Sequence, residues 1–114
     1  MRHNKNETIQ GFYVIQSNDS IKMFSKKDTN IETNEYFKAE ADDSISFKAQ
    51  NDCSFTADFV NTLANKENIV VAQKKIVSQV GDTIIEQTKD KVIIQVGKVQ
   101  VIIDDKGLRV KRGD

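Results

Sequence analysis

Histidine, cysteine and paired carboxylates are the residue types in this chain that could catalyse a reaction or bind a metal. His3 is the single histidine and lies in a polar N-terminal segment, where a solvated side chain is expected. Cys53 is the single cysteine, and its place at the mostly apolar first position of an eight-residue repeat indicates a buried structural thiol rather than a nucleophile. The acidic pairs Asp42-Asp43 and Asp104-Asp105 fall in or near predicted turns, which favour acidic residues without any metal. We therefore predict no catalytic residue, no metal or cofactor site and no enzymatic activity.

The charge balance, the apolar content and the cysteine count of the chain restrict its fold and its partners. The 114 residues include 17 basic and 17 acidic side chains, so no net charge attracts nucleic acid, and we predict no nucleic-acid partner. Only 38% of residues are apolar and tryptophan is absent, which predicts a thin core that needs oligomerisation or a repeat architecture. A lone cysteine, no apolar run of membrane-spanning length and no leader-like N-terminus indicate synthesis as a soluble cytoplasmic chain.

An eight-residue repeat organises the chain from Tyr13 onward. Ser46-Phe47-x-Ala49 is followed eight residues later by Ser54-Phe55-x-Ala57, and the first and third positions of successive units are mostly apolar. The sixth position is polar in every complete unit, and small residues or glycine occupy much of the fifth. Apolar residues two apart indicate a strand with one buried face, and the polar sixth position predicts a turn. Each unit is thus predicted to be a strand of about five residues followed by a three-residue bend.

Such a unit buries its apolar face only by stacking with copies, so the predicted fold class is all-β, a β-solenoid of eight-residue repeats. Residues 1–12 are predicted to be an N-terminal arm and residues 13–114 the repeat shaft. Two architectures remain open: three intertwined chains forming a triangular prism, or one chain coiling with a 24-residue period. Isoleucine at positions 21, 45, 69 and 93 hints at the longer period. The similarity of the segments around Phe47 and Phe55 favours an eight-residue period and therefore the three-chain prism.

Nine positions are predicted to form the core of the trimer: Ile45, Phe47, Cys53, Phe55, Leu63, Val92, Ile94, Val101 and Ile103. The inward direction is undecided for residues 69–105, where apolar residues also occupy the second, fourth and eighth positions. Either the strands there are buried on both faces, or the inward parity switches at a bend such as Gly97-Lys98.

The C-terminal stretch KDKVIIQVGKVQVIIDDKGLRVKRGD, residues 89–114, resembles the β-helical spike of the VgrG family of type VI secretion systems, related to phage tail spikes. The matching features are β-branched strands, a corner at Gly97, the turn Asp104 to Gly107 and a closing Leu108-Arg109-Val110. The long base domain and the OB-fold collar of typical members have no counterpart in 114 residues, so the resemblance is to a short, spike-only form. It implies a homotrimer without cofactor, and contacts with inner-tube or baseplate proteins. It also implies a PAAR-type tip protein bound near the C-terminal end, through Leu108, Arg109, Val110, Lys111 and Arg112.

The leading functional hypothesis is therefore a structural homotrimeric spike of a contractile injection apparatus. It would be cytoplasmic when assembled, would contact a target membrane transiently, and would be exported into the medium or a target cell on firing. The alternative is a bactofilin-like single-chain solenoid that polymerises as a cytoskeletal scaffold. An adhesive stalk is a third class, for which Tyr36 and Phe59 are the obvious exposed aromatic candidates.

Overall fold

A computed structural model describes residues 3–113, and within them the chain is all-β, which confirms the predicted class. Five strands form one antiparallel sheet in which consecutive strands are neighbours, in the order β1-β2-β3-β4-β5. The strands are β1 (Lys75–Val80), β2 (Thr83–Thr88), β3 (Lys91–Val96), β4 (Val99–Asp104) and β5 (Gly107–Arg112).

Each strand has six residues and is joined to the next by a two-residue turn, so strands begin every eight residues. Isoleucine and valine dominate the strands, as expected for residues that pack well on a pleated surface. Two turns begin with a glycine at positive φ, Gly81 at 55° and Gly97 at 57°. Glycine is favoured there because tight hairpin turns need a left-handed residue that other side chains adopt at a cost.

Residues 3–74 contain no strand or helix, yet the backbone bends sharply at regular intervals. The sixth residue of every complete unit, from Asn18 to Lys106, lies in such a bend, which confirms the predicted turn position. A bend at Gln10 and Gly11 keeps the same spacing inside the segment predicted to be an arm. The bends lie at residues 10–11, 18–19, 26–27, 34–35, 42–43, 50–51, 58, 65–66, 73–74, 81–82, 89–90, 97–98 and 105–106.

The phase of the bends changes once. From residue 18 to residue 51 the sixth residue of a unit bends together with the seventh, whereas from residue 65 to residue 106 it bends together with the fifth. The chain divides into two units, Met1–Asn51 and Asp52–Asp114. The change of phase lies between residues 51 and 65, close to that division. The position of the bend within the eight-residue unit therefore differs between the two parts of the chain.

Little of the described chain is buried. Every residue from 3 to 74 is exposed, and none of them belongs to a strand ladder. Ile102, 6% exposed, is the one buried apolar residue among those described. The accessible surface is 12865 Å² for a 12.9 kDa chain, about twice the roughly 6,300 Å² that surface scaling gives for a folded monomer of this mass. The single chain is an open sheet plus an uncovered bent segment, and the repeat solenoid remains a prediction.

Candidate self-association surface

The sheet has two chemically different faces. Strand register aligns Ile85 with Ile94, Ile94 with Val101 and Val101 with Val110, so these side chains form one row across four strands. Side chains alternate along each strand, and the row therefore defines one face. The strand positions on this face, here called the apolar face, are Ile76, Ser78, Val80, Thr83, Ile85, Gln87, Val92, Ile94, Val96, Val99, Val101, Ile103, Leu108, Val110 and Arg112.

Nothing in the described chain covers the apolar face. Val80 is 81% exposed, and Leu108 and Val110 are more than half exposed. Even the central pair of Ile94 and Val101 is only partly shielded by strand neighbours. An apolar surface that extends over five strands is characteristic of an interaction site rather than of a solvated monomer surface.

The opposite face, here called the polar face, is covered by its own side chains. Gln100 donates a hydrogen bond to Gln95 at 2.8 Å, and Arg109 donates to Asp104 at 2.8 Å. Lys75 forms a longer ion pair with Glu86, at 3.4 Å. Long polar side chains bury apolar neighbours under their aliphatic stems, and Ile102 is buried on this face although the sheet is a single layer. The polar face therefore needs no partner.

Asp104 is the one described group whose titration is clearly shifted. The backbone N–H of Lys106 donates to its carboxylate at 2.9 Å, and the Arg109 guanidinium lies against its other oxygen. These donors favour the ionised form, so the pKa of Asp104 lies below its ordinary range, with the Lys106 N–H as the largest cause and Arg109 contributing further. The carboxylate stabilises the turn between β4 and β5 through these two hydrogen bonds.

Four of the predicted core residues come together on the apolar face. Val92 pairs with Ile103 and Ile94 with Val101, each directly across β3 and β4. The undecided parity of residues 69–105 also has a structural answer in the strands. A two-residue turn sets the last residue of one strand opposite the first residue of the next. The positions of the eight-residue repeat that lie on the apolar face therefore shift by one residue at every turn, including Gly97-Lys98.

The other predicted core residues lie in the bent segment, and all are exposed in the single chain. Leu63 is 92% exposed, and Phe47 and Phe55 are about as exposed as each other, at 71% and 70%. Ile45 and the Cys53 thiol are exposed as well. The predicted corner between the two phenylalanines is present as the bend at residues 50–51. Burial of these side chains requires another chain, so their place in a trimer core stays a prediction.

The residues predicted to contact a tip protein all lie in β5, which pairs only with β4 among the described strands. The strand divides them between two surfaces. Leu108, Val110 and Arg112 lie on the apolar face, whereas Arg109 and Lys111 lie on the polar face, where Arg109 is already bound to Asp104. A partner that pairs with the free edge of β5 would meet both sets.

Glutamines on the polar face form structural hydrogen bonds that sequence reasoning did not predict. Gln79 and Gln95 each donate to a turn carbonyl two residues on, of Gly81 and of Gly97, at 3.1 Å in both cases. Gln95 also accepts the bond from Gln100. The signal was present in the sequence as the tripeptide Gln-Val-Gly, which recurs after sixteen residues. This interval equals two strands and two turns.

No cluster of three potential metal ligands occurs among residues 3–113, and no helix in that range is long and apolar enough to cross a membrane. The geometry that the described residues do offer is an exposed apolar face on a five-stranded sheet and a regularly bent chain without strands. Comparison with protein-family models, with curated proteins and with solved structures returned no match.

Proposed function

We propose that the chain is a structural protein, the homotrimeric β-helical spike of a contractile injection apparatus of the type VI secretion or phage-tail kind. One observation carries the trimer: residues 3–74 bend every eight residues, yet they contain no strand ladder and leave their apolar side chains exposed. Three intertwined copies would supply both the missing ladder partners and the missing cover.

The size of the uncovered surface supports extensive intertwining rather than a docked contact. The excess over a folded monomer of this mass is roughly 6,500 Å² per chain. Specific interfaces between folded proteins bury about 1,200–2,000 Å² in total, and obligate ones about 2,000–5,000 Å² or more. A partner that covers this much of a 12.9 kDa chain must wrap around most of its length.

The proposed mechanism is mechanical. With apolar side chains turned inward and balanced charges outward, the assembled spike presents a polar exterior with no net charge. Interlocked ladders leave few free strand edges, so no subunit separates alone under load. The spike is assembled in the cytoplasm, docks on inner-tube or baseplate proteins, carries a PAAR-type tip or effectors, and crosses a target membrane on firing.

Light scattering coupled to size exclusion tests the trimer on the full-length protein. The expected mass is three times 12.9 kDa. A well-folded monomer at micromolar concentration would contradict the proposal. In the source cell, the protein should co-purify with contracted sheath and tube and should appear in the medium only when the sheath can contract. Its release from cells that lack sheath protein would contradict a role in injection.

The bactofilin-like alternative predicts a different ladder. A single-chain solenoid pairs each strand in parallel with a strand one coil later in the sequence. The ladders in the described residues are antiparallel and join consecutive strands. Isoleucine at positions 21, 45, 69 and 93 favours the single coil, whereas these ladders do not, and filaments of purified protein in negative stain would reverse the preference for the trimer.

A further inference from the structure

Three chains that wind together on an eight-residue repeat face a problem of alignment. Ser46-Phe47-x-Ala49 and Ser54-Phe55-x-Ala57 present nearly the same side chains at positions eight residues apart. A chain that slips by one unit against its neighbours therefore replaces one phenylalanine layer by another and loses few contacts. Strand register is weakly specified wherever the pattern repeats itself. Some other part of the molecule must fix which unit of one chain faces which unit of the next.

The sheet of β1–β5 does not have this ambiguity. Its apolar face is wholly apolar only on the two strands β3 and β4, at Val92, Ile94, Val96, Val99, Val101 and Ile103. Thr83 and Gln87 interrupt it on β2, and Arg112 interrupts it on β5. Two such faces match when their central strands coincide. If one face shifts by one strand relative to the other, Gln87 or Arg112 of one chain lies against β3 and β4 of the next. A polar group is then buried without a hydrogen-bond partner.

The strand ladders of the sheet all lie within one chain. All of its strand pairs join neighbours in the sequence through two-residue turns, and contacts of this kind close quickly. In contrast, the bent segment contains no strand ladder in the single chain. The order of events follows from this difference, because a folded sheet can meet its copies before the bent segments wind together.

We propose that the apolar face of β1–β5 is the surface on which three copies of this chain first meet, and that this contact sets their alignment. The inference rests on the proposed homotrimer and adds the place where alignment is decided. Copies of the chain are the occupant for two reasons. The face carries no charge apart from Arg112, so a partner chosen by charge has nothing to recognise. The uncovered area of the whole single chain, of which this face is one part, also exceeds what one docked partner covers.

The test uses full-length protein and a matched pair of double variants. Ile94→Arg with Val101→Arg places two charges at the centre of the apolar face, on residues that pair directly across β3 and β4. Gln95→Arg with Gln100→Arg makes the same change on the same two strands but on the polar face. Mass is measured by light scattering. Alignment is measured by cross-linking Cys53 of one chain to Cys53 of another with a short bis-maleimide. The three thiols lie at the same height along the trimer axis only when the chains are aligned.

Wild type and the polar-face variant should both be trimers with Cys53 joined efficiently between chains. The apolar-face variant should associate at least about a hundredfold more weakly, because unpaired charges would be buried, and any remaining trimer should lose most of the Cys53 product. Hydrogen exchange of the β1–β5 amides checks that the sheet itself survives. Val110→Lys, on the exposed edge strand, is a milder substitution that should act in the same direction.

Two results would overturn this inference while leaving the proposed function intact. One is an apolar-face variant that forms trimers with wild-type Cys53 joining. The other is a wild-type trimer in which Cys53 is never joined between chains. A wild-type monomer would instead contradict the proposed function itself, so the two failures are distinguishable.

Discussion

Serine and threonine at the fifth position of early units stabilise the bends through local hydrogen bonds. The Ser17 hydroxyl accepts from the Asp19 N–H at 3.2 Å and donates to the Ser20 carbonyl at 3.1 Å. Ser25 does the same eight residues later, accepting from Lys27 and donating to the carbonyl of Asp28. Such side-chain turns replace backbone hydrogen bonds at positions where the chain reverses. The small residues of the fifth position thus have a chemical role in the first half of the chain.

Ser25→Ala should lower the free energy of unfolding of the assembled protein by about 1 kcal/mol per chain, the usual net value of such a bond. The measurement is the midpoint of urea unfolding followed by circular dichroism. Ser20→Ala is the matched control, since only the Ser20 carbonyl takes part in the turn. Equal effects of the two substitutions would show that the Ser25 hydroxyl does not stabilise its bend.

Gly97 is expected to be intolerant of substitution for conformational reasons alone. A Cβ at this position would meet nothing within 4 Å, but the residue has a φ of 57°. Gly97→Ala should therefore destabilise the sheet by about 1–2 kcal/mol, the cost of a left-handed conformation for an L-residue. Gly11→Ala is the control, because that site is equally open and is not at positive φ, and there the change should be neutral or stabilising by up to about 1 kcal/mol. Thermal unfolding of the two variants measures the difference.

Asp104 predicts a specific loss of stability in acid. Its folded pKa is lowered by the Lys106 N–H and by Arg109, so the ionised carboxylate stabilises the folded state fully above the unfolded pKa of about 3.9. That stabilisation is lost as pH falls through the lowered folded pKa. Asp104→Asn should remove this acid-dependent part when urea midpoints are compared between neutral and strongly acidic buffers. Asp105→Asn, at a carboxylate without a hydrogen bond among the described residues, should keep it; identical pH profiles for the two variants would refute the assignment.

At the scale of elements, the sequence predicts that residues 75–112 form strands joined by turns, but the predicted boundaries are wrong, because the strands have six residues and the turns two, and not about five and three. Ile and Val alternation marks the strands, and Gly81, Gly97 and the polar sixth position mark the turns. Which face is apolar could not be predicted, because that depends on whether a turn contains two residues or three. An eight-residue period is compatible with both, and only the strand register distinguishes them.

The bent segment limits sequence prediction for a different reason. The spacing of its bends follows from the polar sixth position, but its apolar residues have no cover within the described chain. The proposed core between chains would leave a pattern of apolar residues in the sequence without burying them in the single chain. Ile45 and Leu63 illustrate this, because they fit the pattern and remain exposed.

Hydrogen exchange should separate the two kinds of element. In the assembled protein, amides within residues 13–74 and within β1–β5 should both be protected, because both belong to ladders. On dilution to concentrations at which the trimer dissociates, protection should vanish in residues 13–74. It should persist longest in β2, β3 and β4, which have neighbouring strands on both sides. Protection of residues 13–74 in a monomer would contradict a ladder that needs other chains.

At the scale of the whole molecule, assembly is expected to depend on apolar area and not on charge. The chain has 17 basic and 17 acidic residues, and the apolar face carries a single charged residue, Arg112. Salt screens charge pairs but leaves apolar burial largely unchanged. The association constant measured by sedimentation should therefore change less than about threefold between low and physiological sodium chloride. A steep loss of mass with added salt would indicate that ion pairs hold the copies together.

The two-residue turns of the sheet also constrain how a protein of this kind can change in length during evolution. Each turn shifts the apolar positions by one place, so β3 inserted directly after β1 would present Lys91, Ile93 and Gln95 on the side where its valines now lie. Loss of eight residues would invert every later strand, whereas loss or duplication of sixteen would preserve the pattern. The recurrence of Gln-Val-Gly after sixteen residues agrees with duplication in such steps. In the bent segment, where apolar residues keep one place in the repeat, a single eight-residue unit is enough, so lineages should adjust length in smaller increments there than in the sheet.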